Sequence, residues 1–161
     1  MVGRNLLALA VASGRAAYVY FGDGQLCDWG TSVRATADPA EIAGFTQERI
    51  NELRPDVVVT EKLDAQCRKG AKSRVLIRAI TETASHNEVY DIAVPRPRDF
   101  PSKFEEAQHL AARYPEIAGY LPAQRRRIYD SEPRGMIVFE ALALAEKVLT
   151  QTPDVTTRAP R

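Results

Sequence analysis

The chain has 161 residues of which 45% are hydrophobic. That is enough for one good core and too little for several, so one domain is expected over residues 1–150, with 151–161 as a flexible tail. Twenty-two basic residues against twenty-one acidic ones leave a net charge of +1, which excludes a whole-protein field drawing the chain to nucleic acid or to a membrane, so that any anion site must be a local patch.

Two thiols, Cys27 and Cys67, stand far apart and outside any C-x-x-C or Cys/His cluster. They speak for reduced cysteines and a cytoplasmic location, against a disulfide or a zinc site. The apolar run over 5–12 follows Arg4, but it is short and continues through Gly14 into Tyr18-Val19-Tyr20-Phe21. A strand pair explains it better than a signal peptide, and no stretch is long enough to span a membrane.

Residues 5–12 and 16–21 are apolar or β-prone and are separated by Ser13-Gly14-Arg15, while Gly22-Asp23-Gly24 separates the second run from 25–33. Two successive hairpin turns predict an antiparallel three-strand meander. Asp38-Pro39-Ala40-Glu41 then supplies an N-cap, a proline at the first helical position and an acid completing a capping box. The helix is expected over about 39–53, with Ile42, Phe45, Ile50 and Leu53 on one face and Arg54-Pro55 as its stop.

Val57-Val58-Val59 is a continuous β-branched run, as suits a parallel strand buried on both faces, and its polar terminus is Glu61. Residues 63–72 read as a basic loop. Ser73, Leu76, Ile77, Ile80 and Ala84 recur at helical spacing up to His86-Asn87, and 88–94 form a fifth strand. Pro95-Arg96-Pro97-Arg98 and Pro101 force an extended connection. Ser102 with Glu105 is a second capping box, opening a helix that carries Phe104, Ala107, Ala111 and Tyr114 on one face until Pro115. Pro133 opens the last helix, whose stripe is Ile137, Ala141, Leu144 and Val148, and no periodicity follows Gln151. The whole reads as an α/β mixed sheet.

Two runs carry a resemblance to a known family. Pro55-Asp56-Val57-Val58-Val59-Thr60-Glu61 is similar to a pattern of proline, aspartate, apolar residues and glutamate, and Glu140-Ala141-Leu142-Ala143 to an acid-Ala-Leu-Ala run, both found in RuvC-type Holliday-junction resolvases. The element order likewise resembles their RNase H-like fold. The resemblance implies a five-stranded mixed sheet, three antiparallel strands and then parallel ones, flanked by helices. It also implies two magnesium ions held by four acids, since hard divalent ions take oxygen ligands and the charge of the transition state must be neutralised on both sides. One acid belongs in the first strand, one at the end of the fourth, and two a helical turn apart on the last helix.

On that pattern Glu61 takes the second position and Glu140 the last. Ala10 lies where the first acid belongs and Ile137 where the third does, and the family's Asp-Pro-Gly signature in the first strand is absent. Two carboxylates hold one magnesium ion weakly and do not readily support a two-metal mechanism, so cleavage is expected to fall by many orders. The expectation is a catalytically degenerate domain in which Glu61 and Glu140 are the residual catalytic and metal-ligating acids. Other readings stay open: Glu61 solvated or paired with Lys62 or an arginine, Glu140 an exposed helix residue or, at the border of the apolar face, paired with a buried cation, or Asp23, Asp130 or Glu132 replacing a lost ligand in an active magnesium-dependent nuclease.

The candidate phosphate contacts fall in three segments: Arg68, Lys69, Lys72 and Arg74 beside Gly70; Arg96 and Arg98 with Lys103; and Arg125-Arg126-Arg127, next to Tyr129. Lys103 resembles a basic residue that the family carries before its next helix, where helix-terminus amides also favour an anion. These segments make structured or branched nucleic acid the expected partner. The competing expectation is a protein-interaction or scaffold domain, with the fold kept for homodimerisation. His86 and His109 have no ligand set and read as structural or surface residues, and Trp29 with Tyr18 and Tyr20 reads as core or as an aromatic patch on the meander.

Overall fold

Strands β1 (Asn5–Ala12), β2 (Arg15–Gly22) and β3 (Gln25–Ser32) form the expected meander. They belong to a computed structural model that describes residues 5–121, 135–150 and 156–158. The second turn is held by Asp23 and Gly24 with φ of 51° and 81°. Two successive positive φ values are what a tight hairpin between twisted strands requires, and Gly24 adopts its value without steric cost.

Helix α1 (Pro39–Leu53) starts where the Asp38 carboxylate accepts a hydrogen bond from the Glu41 amide at 2.8 Å. It ends with Arg54 in the left-handed region at φ 50°. The chain then enters β4 (Val57–Glu61), which runs parallel to β1 in the register Leu6 beside Val57 and Ala8 beside Val59. Helix α2 (Ala71–Ser85) leads to β5 (Tyr90–Val94), parallel to β4 with Val94 beside Glu61. Helix α3 (Lys103–Arg113) is capped by the Ser102 hydroxyl, which accepts from the Glu105 amide. A 3-10 turn over Pro115–Tyr120 follows, and α4 (Met136–Thr150) closes the domain.

The sheet order is β3-β2-β1-β4-β5, with a short β6 (Thr156–Arg158) antiparallel to β5 at the edge. The mixed sheet and its flanking helices are those expected. The extra strand lies in a stretch whose sequence predicted no element. Pro133, the expected helix opener, lies outside the described residues, as do Arg125, Arg126, Arg127, Tyr129, Asp130 and Glu132.

Side chains alternate across β1 and define two cores. Leu7, Leu9 and Val11 pack with Ile42, Ile50, Leu76, Ile77 and Ile80 from α1 and α2. Leu6, Ala8 and Ala10 face α4 together with Val57, Val59, Ile92 and Val94. The small residues Ala8, Ala10 and Ala17 on the sheet, with Ala141 and Ala145 on the helix, let α4 lie close against β1 and β2. This explains why α4 is buried on every side from Met136 to Ala145 and not along one stripe as its spacing suggests. Tyr18 and Trp29 are separated by the same alternation, one in each core, so they form no shared aromatic patch.

Candidate functional site

The parallel strands end in a cleft of about 460 Å³ lined by Glu61, Lys69, Arg96, Glu106 and Glu140, with Arg68, Arg98 and Lys103 also on its wall. Strand alternation accounts for most of this. Val57 and Val59 face α4, so Glu61, two residues further, does too. Ile92 and Val94 face the same way, and the same parity carried past the strand end brings in Arg96. Ala10 lies two residues beyond the last β1–β4 register pair, on that same face.

Glu61 and Glu140, 4% and 5% exposed, are therefore brought to one cleft, as the sequence pattern implied. Their surroundings differ from those of a metal centre. Lys69 donates from Nζ to Glu140 Oε2 at 2.6 Å, and Arg96 Nε stands 3.8 Å from Glu140 Oε1. Arg96 also forms a bidentate pair with Glu106, at 2.6 Å and 3.0 Å, and all of these side chains are at least four-fifths buried. Such paired geometry is the kind that offsets the cost of desolvating the charges. Burial alone would lower the Arg96 pKa, but the Glu106 hydrogen bond, then the charges of Glu106, Glu140 and Glu61, hold it above its ordinary value.

Residues 62–70 carry Lys69 into the cleft, and Arg74 holds that loop. Its guanidinium donates to the carbonyls of Lys69, Asp64 and Cys67 at 2.9–3.1 Å. The Cys67 thiol nearby is raised by burial, partly countered by a backbone hydrogen bond at Lys69 and raised again by Glu61. Both cysteines are free thiols.

These positions revise several sequence expectations. Arg74 faces back into its own loop and not toward a ligand. Lys72 is exposed on the first turn of α2, away from the cleft lining. Lys69 and Arg96, read as phosphate contacts, are engaged with carboxylates. Asp23 sits at the β2–β3 turn, where its amide bonds Asn5 at the start of β1. That is the opposite end of the sheet from Glu61, on the order of 16 Å away at about 3.3 Å per strand residue, so Asp23 replaces no ligand. Glu106 was not anticipated. Its signal was an acid one residue before Ala107 and four before Leu110, on the buried side of α3. His109 stacks against Phe100, with centroids 5.1 Å apart, and His86 closes the C-terminus of α2.

The residues present do not fit a two-metal centre. Ala10 and Ile137 are buried in the apolar core, and each Glu140 oxygen already faces a cation of the chain. Among the described residues, no group of three or more His, Cys, Asp or Glu is arranged to hold a metal ion. No helix of these residues is long and apolar enough to cross a membrane.

No protein-family model matches the chain, and no curated protein does. Solved structures do match. The Thermus thermophilus RuvC structure aligns at TM-score 0.57 and 14% identity, over 96% of this chain and 99% of that one. T. thermophilus RuvC in complex with a Holliday junction substrate aligns at 0.54 and 16%, over 88% and 89%. The fowlpox virus resolvase with substrate Holliday junction DNA aligns at 0.55 and 17%, over 91% and 99%. The chain has the RNase H-like fold in its RuvC-like form.

Proposed function

We propose that this chain binds structured, branched nucleic acid at its cleft without cleaving it. The observation that carries the reading is a division of charge. Glu140 and Glu106 are buried and paired with Lys69 and Arg96, whereas Arg68, Arg98 and Lys103 stand exposed on the cleft wall. Exposed cations around a concave site neutralise phosphates, and the counterions released make such binding salt-dependent. The fold supports the choice of ligand, because the RuvC and fowlpox resolvase structures it resembles include complexes with Holliday junctions. Two free thiols suit the reducing cytoplasm. A scaffold role would want an apolar face, and the exposed large apolar residues among those described are Val33 and Val75, on separate elements.

The test is fluorescence anisotropy with a four-way junction, a linear duplex and a single strand, each over a salt series and with either EDTA or magnesium. The junction is expected to bind most tightly, to bind as well in EDTA, and to stay uncut. Changing Arg68, Arg98 and Lys103 together to alanine should weaken binding and lower the magnitude of the salt slope by about 2–3, at roughly 0.9 per phosphate contact. No binding by the unaltered chain at low salt would overturn the proposal, and cleavage abolished by Glu61→Gln would overturn its second half.

A further inference from the structure

We propose that Lys69 is the resident cation of the cleft, and that its ammonium closes the Glu61–Glu140 carboxylate pair to divalent ions. Three independent observations carry this. The first is the pairing itself: Nζ lies 2.6 Å from Glu140 Oε2, with the two side chains 16% and 5% exposed. On the other oxygen stands Arg96, at 3.8 Å, so the carboxylate is bracketed by fixed positive charge. A divalent ion approaching Glu140 must displace the ammonium or share the site with two cations that repel it.

The second observation is Glu61. It lines the same cleft, is 4% exposed, and its Oε1 is buried with no hydrogen-bond partner among the described residues. An acceptor left in that state is costly unless a nearby charge compensates it, and Arg96, which feels the Glu61 charge, supplies one from the same cleft. Third, the lysine is held in place. Arg74 ties the carbonyls of Asp64, Cys67 and Lys69 itself, so the backbone that carries the ammonium is anchored and pairing leaves only the side chain to be ordered. Arg74 is thus a positioning residue for Lys69. The inference concerns the occupant of the acids and stands whether or not the cleft binds nucleic acid.

The experiment is titration of the full chain with manganese chloride, followed by calorimetry and by water-proton relaxation, which reads bound manganese directly. The unaltered protein is expected to show no site up to millimolar manganese. Lys69→Gln keeps a donor toward Glu140 while removing the charge, and should bind manganese at least tenfold more tightly than the unaltered protein. Adding Glu140→Gln to that variant should abolish the gain. Arg74→Met, which leaves the lysine but loosens its loop, should give a smaller gain of about twofold to fivefold. A Lys69→Gln variant with an unchanged circular dichroism spectrum and no gain in affinity overturns the proposal. So does manganese binding by the unaltered protein that is lost on Glu140→Gln, an arm that needs no lysine variant to fold.

Discussion

The two faces of one sheet solve the same burial problem differently. Against α1 and α2 the core is made of Leu7, Leu9, Val11, Ile42, Leu76, Ile77 and Ile80, and its polar Thr46 bonds back to the Ile42 carbonyl. At the cleft end of the α4 face, Glu61, Glu106 and Glu140 are buried with Lys69 and Arg96. The first arrangement stabilises by removing apolar surface from water. The second must recover a desolvation cost through pairing, and apolar residues of the same volume would often serve stability as well or better. Charge retained at the strand ends is therefore poorly explained by stability alone, and it coincides with the place where the fold carries its cleft.

The largest effect should come from breaking the network on one side only. Arg96→Met leaves Glu106 buried and unpaired and weakens the setting of Glu140, and is expected to cost about 3–5 kcal/mol in urea unfolding. Combining it with Glu106→Met should recover most of that loss, because an apolar pair replaces an ionic one. If both variants are equally unstable, Arg96 acts mainly by packing and the contrast between the two faces weakens.

On the apolar face the corresponding change is graded. Ile80, fully buried, loses one methyl group in Ile80→Val, at an expected cost of about 1 kcal/mol by the same measurement. No partner substitution should rescue it, since the cost is a cavity and lost contact and not an orphaned charge.

The smallest effect is a pH signature of the meander. Tyr18 donates to Asp28 at 2.9 Å, and burial, then that hydrogen bond and the Asp28 charge, push its pKa from 10.0 to about 12. A raised folded-state pKa means that the contribution is fully present below pH 10 and is lost as pH rises toward 12. Thermal melts of the unaltered protein and of Tyr18→Phe should therefore converge over that window. A constant difference between them would show that the phenol proton contributes nothing.

Much of the fold was legible because it is set by neighbours. Asp38 caps the Glu41 amide and Ser102 the Glu105 amide within three residues, and Asp23-Gly24 needs only its own φ values to turn the chain. The three valines of β4 announce a strand buried on both sides, and all three are. The α3 stripe was read less well. Tyr114 and Phe104 were expected at its core, but they are only partly buried while Glu106 is inside. Ala107 and Leu110 beside it hint at that burial, but its partner, Arg96, lies ten residues back in the connection from β5, beyond the reach of helical spacing.

The site was legible in part. Glu61 and Glu140 came from matches to a known pattern, and they do share a cleft. The sequence also identified Lys69, Arg74 and Arg96 as cations worth naming, but not what they face. Lys69 meets Glu140 across 71 positions, and Arg74 turns to carbonyls of its own loop. By itself the sequence determined the first five strands and the helix caps, since each depends on residue type and on spacing within a few positions, whereas acids missing at Ala10 and Ile137 are what the resemblance implied. Only the tertiary structure decided that Glu140 is already paired with cations of the chain. Which charge meets which in a buried cleft depends on strand register, loop anchoring and side-chain direction, all of them products of long-range packing.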